Sequence, residues 1–189
     1  QFGKDDKYFG VCIMMSTLPG LPMYGHGQIE GFSEKYGMEY RRARHNEQPH
    51  QWLLDRPYSD VFPLLYRRAE FAEVENFLLY DFYAENGHVN EDVFAYSNHY
   101  NDKGSLVVFN NKFVTAKGWV KRSSAYKDKG SGQLRQRDVH EGLRLHGGDK
   151  HFVILRDHIA GLEYMRQSRD VQRRGLYFEL EAFKYRVFT

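Results

Sequence analysis

Four groups of side chains have types and spacings that could do chemistry. His140 and His146 lie six residues apart and His151 and His158 seven apart, with Asp138, Asp149 and Asp157 interleaved. Imidazoles and carboxylates are metal ligands, but no pair has the i, i+4 spacing of a helical zinc site. We read them as surface histidines and expect no metal. Arg41, Arg42, Arg44 and His45 could grip a carboxylate or phosphate, because guanidinium groups present a planar fork of donors; we read the cluster as a solvated loop face. Residues 112–137 hold eight basic side chains against one acid, Asp128, with Trp119 and Tyr126 among them. That is the composition of a nucleic-acid groove. With a formal net charge of only +2 overall and Gly and Ser in the stretch, an exposed loop is the simpler reading, and no nucleic-acid partner is expected. Trp52, Trp119 and Tyr126 are flat enough to stack on the apolar face of a sugar ring, or else are ordinary core or interface residues.

These groups must be carried by the elements that periodicity predicts. From Lys7 to Leu18, Tyr8, Val11, Cys12 and Met15 recur at i, i+3, i+4 and i+7, one face of a helix. Asp5 and Asp6 suit its N-terminus, and Pro19-Gly20 stops it. Leu21 to Tyr24 is a short apolar run that suits a buried strand, followed by a loop with Gly25, Gly27 and Gly31. Residues 32–58 are long, polar and without period. Ser59 then caps a second helix, with Phe62, Leu65, Tyr66 and Ala69 on one face. Past Phe71 the period becomes that of strands: 77–83, 93–97, 105–109, 119–123, 151–155, 161–166 and 176–188, with a short helix at Ser168 to Arg174 stopped by Gly175. The expected organisation is α/β followed by all-β.

Composition narrows the classes. The chain is 41% hydrophobic and 28% charged, which suits a globular protein rather than a disordered or collagenous one. The longest apolar stretch, Val11 to Met15, is far short of the roughly 20 residues that cross a bilayer, so no membrane partner is expected. A lone Cys12 excludes an internal disulfide and a four-cysteine zinc site. No basic-then-apolar leader is visible, and the compartment is left open with a cytoplasmic leaning. The chain begins with Gln1 already close to an amphipathic helix, and we expect it to be a piece of a longer protein.

One segment supplies a resemblance. Thr17-Leu18-Pro19-Gly20 with Pro22, then Tyr24-Gly25 and Gln28-Ile29-Glu30-Gly31, resembles the end of the catalytic barrel of the α-amylase superfamily, glycoside hydrolase family 13. There a helix closes on a Thr-Leu-Pro-Gly-x-Pro stretch, an eighth strand follows, and a loop with a Glu-Ile-Gly signature comes next; Gln28 to Gly31 looks like that signature, altered and shifted. Ala95 to Ser97, Leu106 to Asn110 and Leu180 to Phe188 are similar to strands of the antiparallel β-sandwich, domain C, that follows the barrel. The resemblance implies an incomplete (β/α)8 barrel end over residues 1–72, joined to an antiparallel β-sandwich over 73–189. It requires Pro22 to Tyr24 to be a strand.

The resemblance also implies where chemistry is and is not. The family's Asp nucleophile, Glu acid and third Asp follow barrel strands four, five and seven, upstream of Gln1, so no catalytic residue is assigned here. Tyr24, His26, Gln28 and Glu30 would lie at the mouth near the substrate, an α-glucan or small α-glucoside. The upstream barrel would be the covalent partner, with no cofactor. We expect the chain by itself to be inactive and weakly soluble, because helices at 7–18 and 59–70 would bare apolar faces, and we expect 73–189 to fold alone. The alternative is a non-catalytic carbohydrate-binding or scaffolding β-sandwich module, which accounts for the strands but not for Thr17 to Pro22.

Overall fold

The computed structural model describes residues 6–25, 27–34 and 41–189. Helix α1 spans Asp6–Thr17, α2 Gln51–Arg56 and α3 Phe62–Tyr66. Strands β1 (Leu78–Ala84), β2 (Val93–Tyr100), β3 (Lys103–Asn110) and β4 (Ala116–Ser123) follow. Two short strands, β5 (Tyr126–Lys127) and β6 (Leu134–Arg135), form a hairpin ahead of α4 (Val139–Gly142). β7 (Phe152–Arg156) and β8 (Glu163–Gln167) make a second hairpin, and α5 (Ser168–Arg174), β9 (Leu176–Leu180) and β10 (Tyr185–Phe188) complete the chain.

The centre is a six-stranded antiparallel sheet in the order β10-β3-β2-β1-β4-β9. Alternation sorts its side chains into two cores, as the period of two along a strand requires. Leu78, Tyr80, Phe82, Val93, Ala95, Leu106, Val108, Val120 and Phe178 face α4, α5 and the β7–β8 hairpin. Tyr96, Val107, Phe109, Tyr185 and Val187 face α1, α2 and the helical turns after it. Strands β2 and β3 are therefore buried on both faces, whereas β1 and β9 alternate buried and exposed. The fold is mostly antiparallel β, as expected. The layer facing the sheet is a hairpin with two short helices, not a second full sheet.

Several expectations need correction. The first helix runs as predicted to within a residue, but its buried positions are Phe9, Gly10, Cys12, Ile13, Ser16 and Thr17; of the expected face only Cys12 is among them, with Tyr8, Val11 and Met15 half-buried. Its face is turned by Gly10, where a side chain would overlap the buried Phe109 ring; the helix backbone lies directly on that ring. Asp5 and His26 lie outside the described residues. The second helix starts at Gln51, inside the presumed loop. Pro57 and Pro63 remove two amide donors from it, and the ladder widens between them into a π turn in which the Phe62 amide reaches the Pro57 carbonyl. Ser59 is not a cap; its hydroxyl donates to the Arg56 carbonyl and to Asp60. The buried positions are Leu53, Val61 and Leu64, while Tyr66 and Ala69 are exposed.

The predicted strand at Leu21 to Tyr24 does not form. Leu21 and Met23 are 87% and 75% exposed. A lone strand cannot satisfy its own amides and carbonyls, and no described strand lies beside it. The barrel end is thus not visible as an element, and the support expected from Pro22 to Tyr24 is withdrawn. The apolar faces of α1 and the second helical segment are not bare either, because they cover β2, β3 and β10. Residues 1–72 and 73–189 share one of the two cores, which a division by periodicity does not anticipate.

Two outcomes follow. Phe109→Ala should lower stability by about 3–5 kcal/mol, the usual loss for a fully buried phenylalanine, measured by urea unfolding. Residues 73–189 alone should unfold at lower urea than the full chain, since Tyr96, Val107, Phe109, Tyr185 and Val187 lose their cover; equal midpoints would show that the helical layer contributes nothing.

Candidate functional site

The segment from Ser16 to Gly31 is a joint between α1 and the sheet. Thr17 Oγ1 donates to the Ile13 carbonyl (2.7 Å) and shares a 2.6 Å hydrogen bond with the buried Tyr96 hydroxyl of β2. Ser16 Oγ shares one of 2.6 Å with Tyr24, whose hydroxyl also donates to the Cys12 carbonyl at 3.2 Å. Arg68 closes the joint: its guanidinium donates to the carbonyls of Ser16 (2.9 Å), Leu18 (2.6 Å) and Gly20. The Ser16 carbonyl is among those a helix leaves unpaired at its C-terminus, and Leu18 and Gly20 follow just beyond it; a cation there is also favoured by the helix dipole. Gly20 takes φ +106°, a conformation open to glycine, and its amide donates to Ala72. The Thr17-Leu18-Pro19-Gly20 motif thus has a structural use in this chain: it ends the helix and ties it to β2.

This geometry bears on the residues expected near substrate. Burial pushes the Tyr24 phenol up to about 12, and its hydroxyl is engaged by α1. The Gln28 side chain accepts the Gly25 amide at 3.1 Å, closing its own turn, while its carbonyl accepts from Tyr8. Glu30 is half-buried, its carbonyl accepts the His50 amide, and its carboxylate makes no ion pair among the described residues. The structure brings Tyr24 and Gln28 close to α1. Cys12, beside them, is buried with its thiol pushed up to about 11 by burial, which leaves it unreactive.

Farther along, the polar stretch is organised by two carboxylates. Glu47 accepts the amides of Ser33 and Glu34, and Glu34 accepts those of Arg44 and His45. Backbone donors hold both glutamates below their usual range, chiefly that of His45 for Glu34 and that of Glu34 for Glu47. Arg41, Arg42, Arg44 and His45 are exposed.

The basic stretch 112–137 is a strand and a hairpin rather than a loop. Its charges are largely committed: Lys112 to Asp92, Lys117 to Glu179, Arg122 to Asp138, Arg135 to Asp128, and Lys121 to the Arg173 carbonyl. Tyr126 is half-buried beneath Arg137. Among the described residues no group of three or more His, Cys, Asp or Glu side chains could hold a metal ion, and no helix is long and apolar enough to cross a membrane.

Sequence reasoning singled out Trp119 but missed its partners. Tyr83, Trp119 and Tyr177 are in register across β1, β4 and β9, on the face that no helix covers. The Trp119 and Tyr177 rings meet edge to face at 4.8 Å, Tyr177 donates to Glu85 at 2.8 Å, and a cleft of about 480 Å³ beside them is also lined by Lys121, Arg122 and Arg174. Only strand pairing could have revealed this row. Trp52, by contrast, packs edge to face on Phe9.

No protein-family model matches the sequence, and no curated protein matches it. Solved structures do. An α-amylase from Anoxybacillus, described as offering insight into a new glycosyl hydrolase subclass, is 14% identical, with a TM-score of 0.54 over 97% of this chain and 32% of its own. AmyP in complex with maltose is 10% identical, with a TM-score of 0.53 over 97% of this chain and 34% of its own. The Nostoc punctiforme debranching enzyme is 11% identical, with a TM-score of 0.51 over 93% and 29%. At these identities the likeness is one of fold. The chain spans about a third of the length of each of these structures.

Thr17→Val should destabilise the protein by about 1–3 kcal/mol, because it leaves the Tyr96 hydroxyl buried without a partner; thermal unfolding checks it, and an unchanged midpoint would remove Thr17 from the joint. The loop carboxylates make a pH prediction. Both pKa values are depressed in the folded state, so their contribution is complete above the ordinary glutamate value of about 4.3 and is lost as pH falls below it. Protection of the Ser33, Glu34, Arg44 and His45 amides from hydrogen exchange, corrected for intrinsic rates, should disappear over that acid range and be lost at neutral pH in Glu47→Gln and Glu34→Gln.

Proposed function

We propose that this chain is the C-terminal part of an α-amylase-like glycoside hydrolase or transglycosidase that acts on α-glucosidic bonds by retention. Residues 73–189 would be its domain C and residues 1–72 the segment that joins it to the upstream barrel, since the barrel strand required at Pro22 to Tyr24 does not form. One observation carries the proposal: 97% of the chain superposes on about a third of an α-amylase and of a maltose-bound protein. The Thr17 to Pro22 motif, which lies in the joint between helix and sheet, adds to it. So do Leu21, Met23 and Tyr66, the last 90% exposed, which suit a surface that upstream barrel strands would cover.

Glycoside hydrolysis needs two carboxyl groups across the scissile bond, one as nucleophile and one as acid, held in different protonation states. In a (β/α)8 barrel they stand at the C-terminal ends of several strands, which here would all lie upstream. His26, Gln28 and Glu30 would border the substrate, and Tyr24 would hold that loop against α1. Glu30 cannot act from both faces of a glycosidic bond. The chain alone should therefore give no turnover of starch, maltose or nitrophenyl α-glucosides, whereas the same chain with its natural upstream sequence should. Turnover by the 189 residues that disappears in Glu30→Gln would overturn the proposal.

A second reading is favoured by the Tyr83-Trp119-Tyr177 row. Three aromatic side chains across strands about 4.8 Å apart offer apolar ring surface against which a sugar could pack, Trp119 and Tyr177 meeting edge to face, with Glu85 and the Lys117–Glu179 pair at its edge. On this reading the chain binds glucan without cleaving it. Affinity electrophoresis in soluble starch separates the two: retardation abolished by Trp119→Ala supports the binding module, and unretarded migration removes it.

A further inference from the structure

A second cleft, of about 780 Å³, opens on the other side of the sheet between the β2–β3 turn, the end of α4 and β7. Its lining includes the exposed apolar side chains Phe152 and Ile154 over the buried Leu106, Leu143, Leu155 and Phe188, while Arg67, Lys103, Arg144 and Arg156 stand there against one acidic side chain, Asp102. Three of the four cations already have acidic partners: Glu70 takes both Arg67 and Lys103, and Glu163 takes Arg156. Arg144 does not. Its guanidinium donates to the neutral Asn76 amide at 3.0 Å and pairs with no acidic side chain among the described residues.

Two further observations point to the same place. Arg144 follows α4 at φ +51°, the left-handed position after a helix that glycine ordinarily fills. An arginine there is strained, and the surrounding structure holds it in place. His99, also on the lining, is only 6% exposed, and its Nδ1 has no hydrogen-bond partner. Burial and then the Arg144 charge lower its basicity, partly offset by Asp102, as expected of an imidazole lying between these two charges at the cleft wall.

We propose that this cleft binds a small organic anion, an apolar body carrying a carboxylate, with Arg144 holding the carboxylate and the exposed Phe152 and Ile154 of the lining taking the body. A guanidinium matches a carboxylate with two parallel hydrogen bonds, and contact with these apolar side chains removes the body from water. This site is independent of the glycosidase proposal, since it uses none of the residues assigned there.

Octanoate and octanol, which differ in the head group, test it on the full 189-residue chain at low salt. Amide shifts at 99–104, 143–146 and 151–156 should saturate with octanoate and require at least about tenfold more octanol. Arg144→Gly relieves the left-handed strain while removing the cation. It should keep or raise the thermal midpoint and weaken octanoate by about tenfold or more. Equal binding of octanoate and octanol, octanoate binding unchanged in Arg144→Gly, or no shift at these amides would each overturn the proposal.

Discussion

Helix α1 lies on the sheet with its backbone against the Phe109 ring, and the rest of the fold depends on that approach. Gly10 makes it possible, because any side chain there would occupy the ring's volume. Once the helix is seated, Phe9, Cys12 and Ile13 close over Tyr96, Val107 and Val187, and β2 and β3 become buried on both faces. Such strands have no polar face to give to water, so the layer that covers them is part of the fold rather than an addition to it.

Polar groups then set the helix in place. At its C-terminus Thr17 meets Tyr96 and Arg68 gathers three carbonyls. At its other end Asp6 takes Arg56 at 2.5 Å and Lys184 at 2.9 Å. Arg56 lies over the Phe9 ring at 4.2 Å and also donates to Tyr185, which in turn donates to Asp60. Residues from α1, the π turn and β10 thus meet in one partly buried network. Each member satisfies a neighbour, and solvent still reaches Asp6 and Lys184. On the opposite core, Asp157 is fully buried but pairs with Arg186 at 2.8 Å and accepts the Ile159 and Ala160 amides, which ties the β7–β8 hairpin to β10.

The covering is uneven, and that unevenness decides where the protein can meet other molecules. Helices α1, α2 and α3 reach β10, β3 and β2 but not β1, β4 and β9, so the second face of those strands keeps Tyr83 and Trp119 half-buried and Tyr177 exposed. On the helical side, Leu21, Met23 and Tyr66 are left outside the shared core. The proposed parent enzyme would use these two surfaces differently, one as a seam with its barrel and the other as open sheet.

Local pattern alone determined most of the strands past Phe71, though not the β5–β6 hairpin or the break between β9 and β10, together with the first helix and the short helix stopped by Gly175, because a period of two or 3.6 and a glycine or proline stop act within a few residues. It also carried the Thr17 to Pro22 motif, whose resemblance to an amylase barrel end is not matched by a strand at Leu21 to Tyr24; the superposed structures share the overall fold. What it could not determine was anything set by partners distant in sequence. The burial face of α1 was misjudged because Phe109, nearly a hundred residues away, selects it. The strand expected at Leu21 to Tyr24 is absent because a strand needs a neighbour, and apolar residues do not supply one. The aromatic row exists only through the register of β1, β4 and β9, and Glu30, His26 and Gln28 can be weighed as substrate contacts only beside the barrel strands that would face them. Side-chain type is a property of the sequence; adjacency is a property of the fold, because it is decided by which surfaces must leave water together.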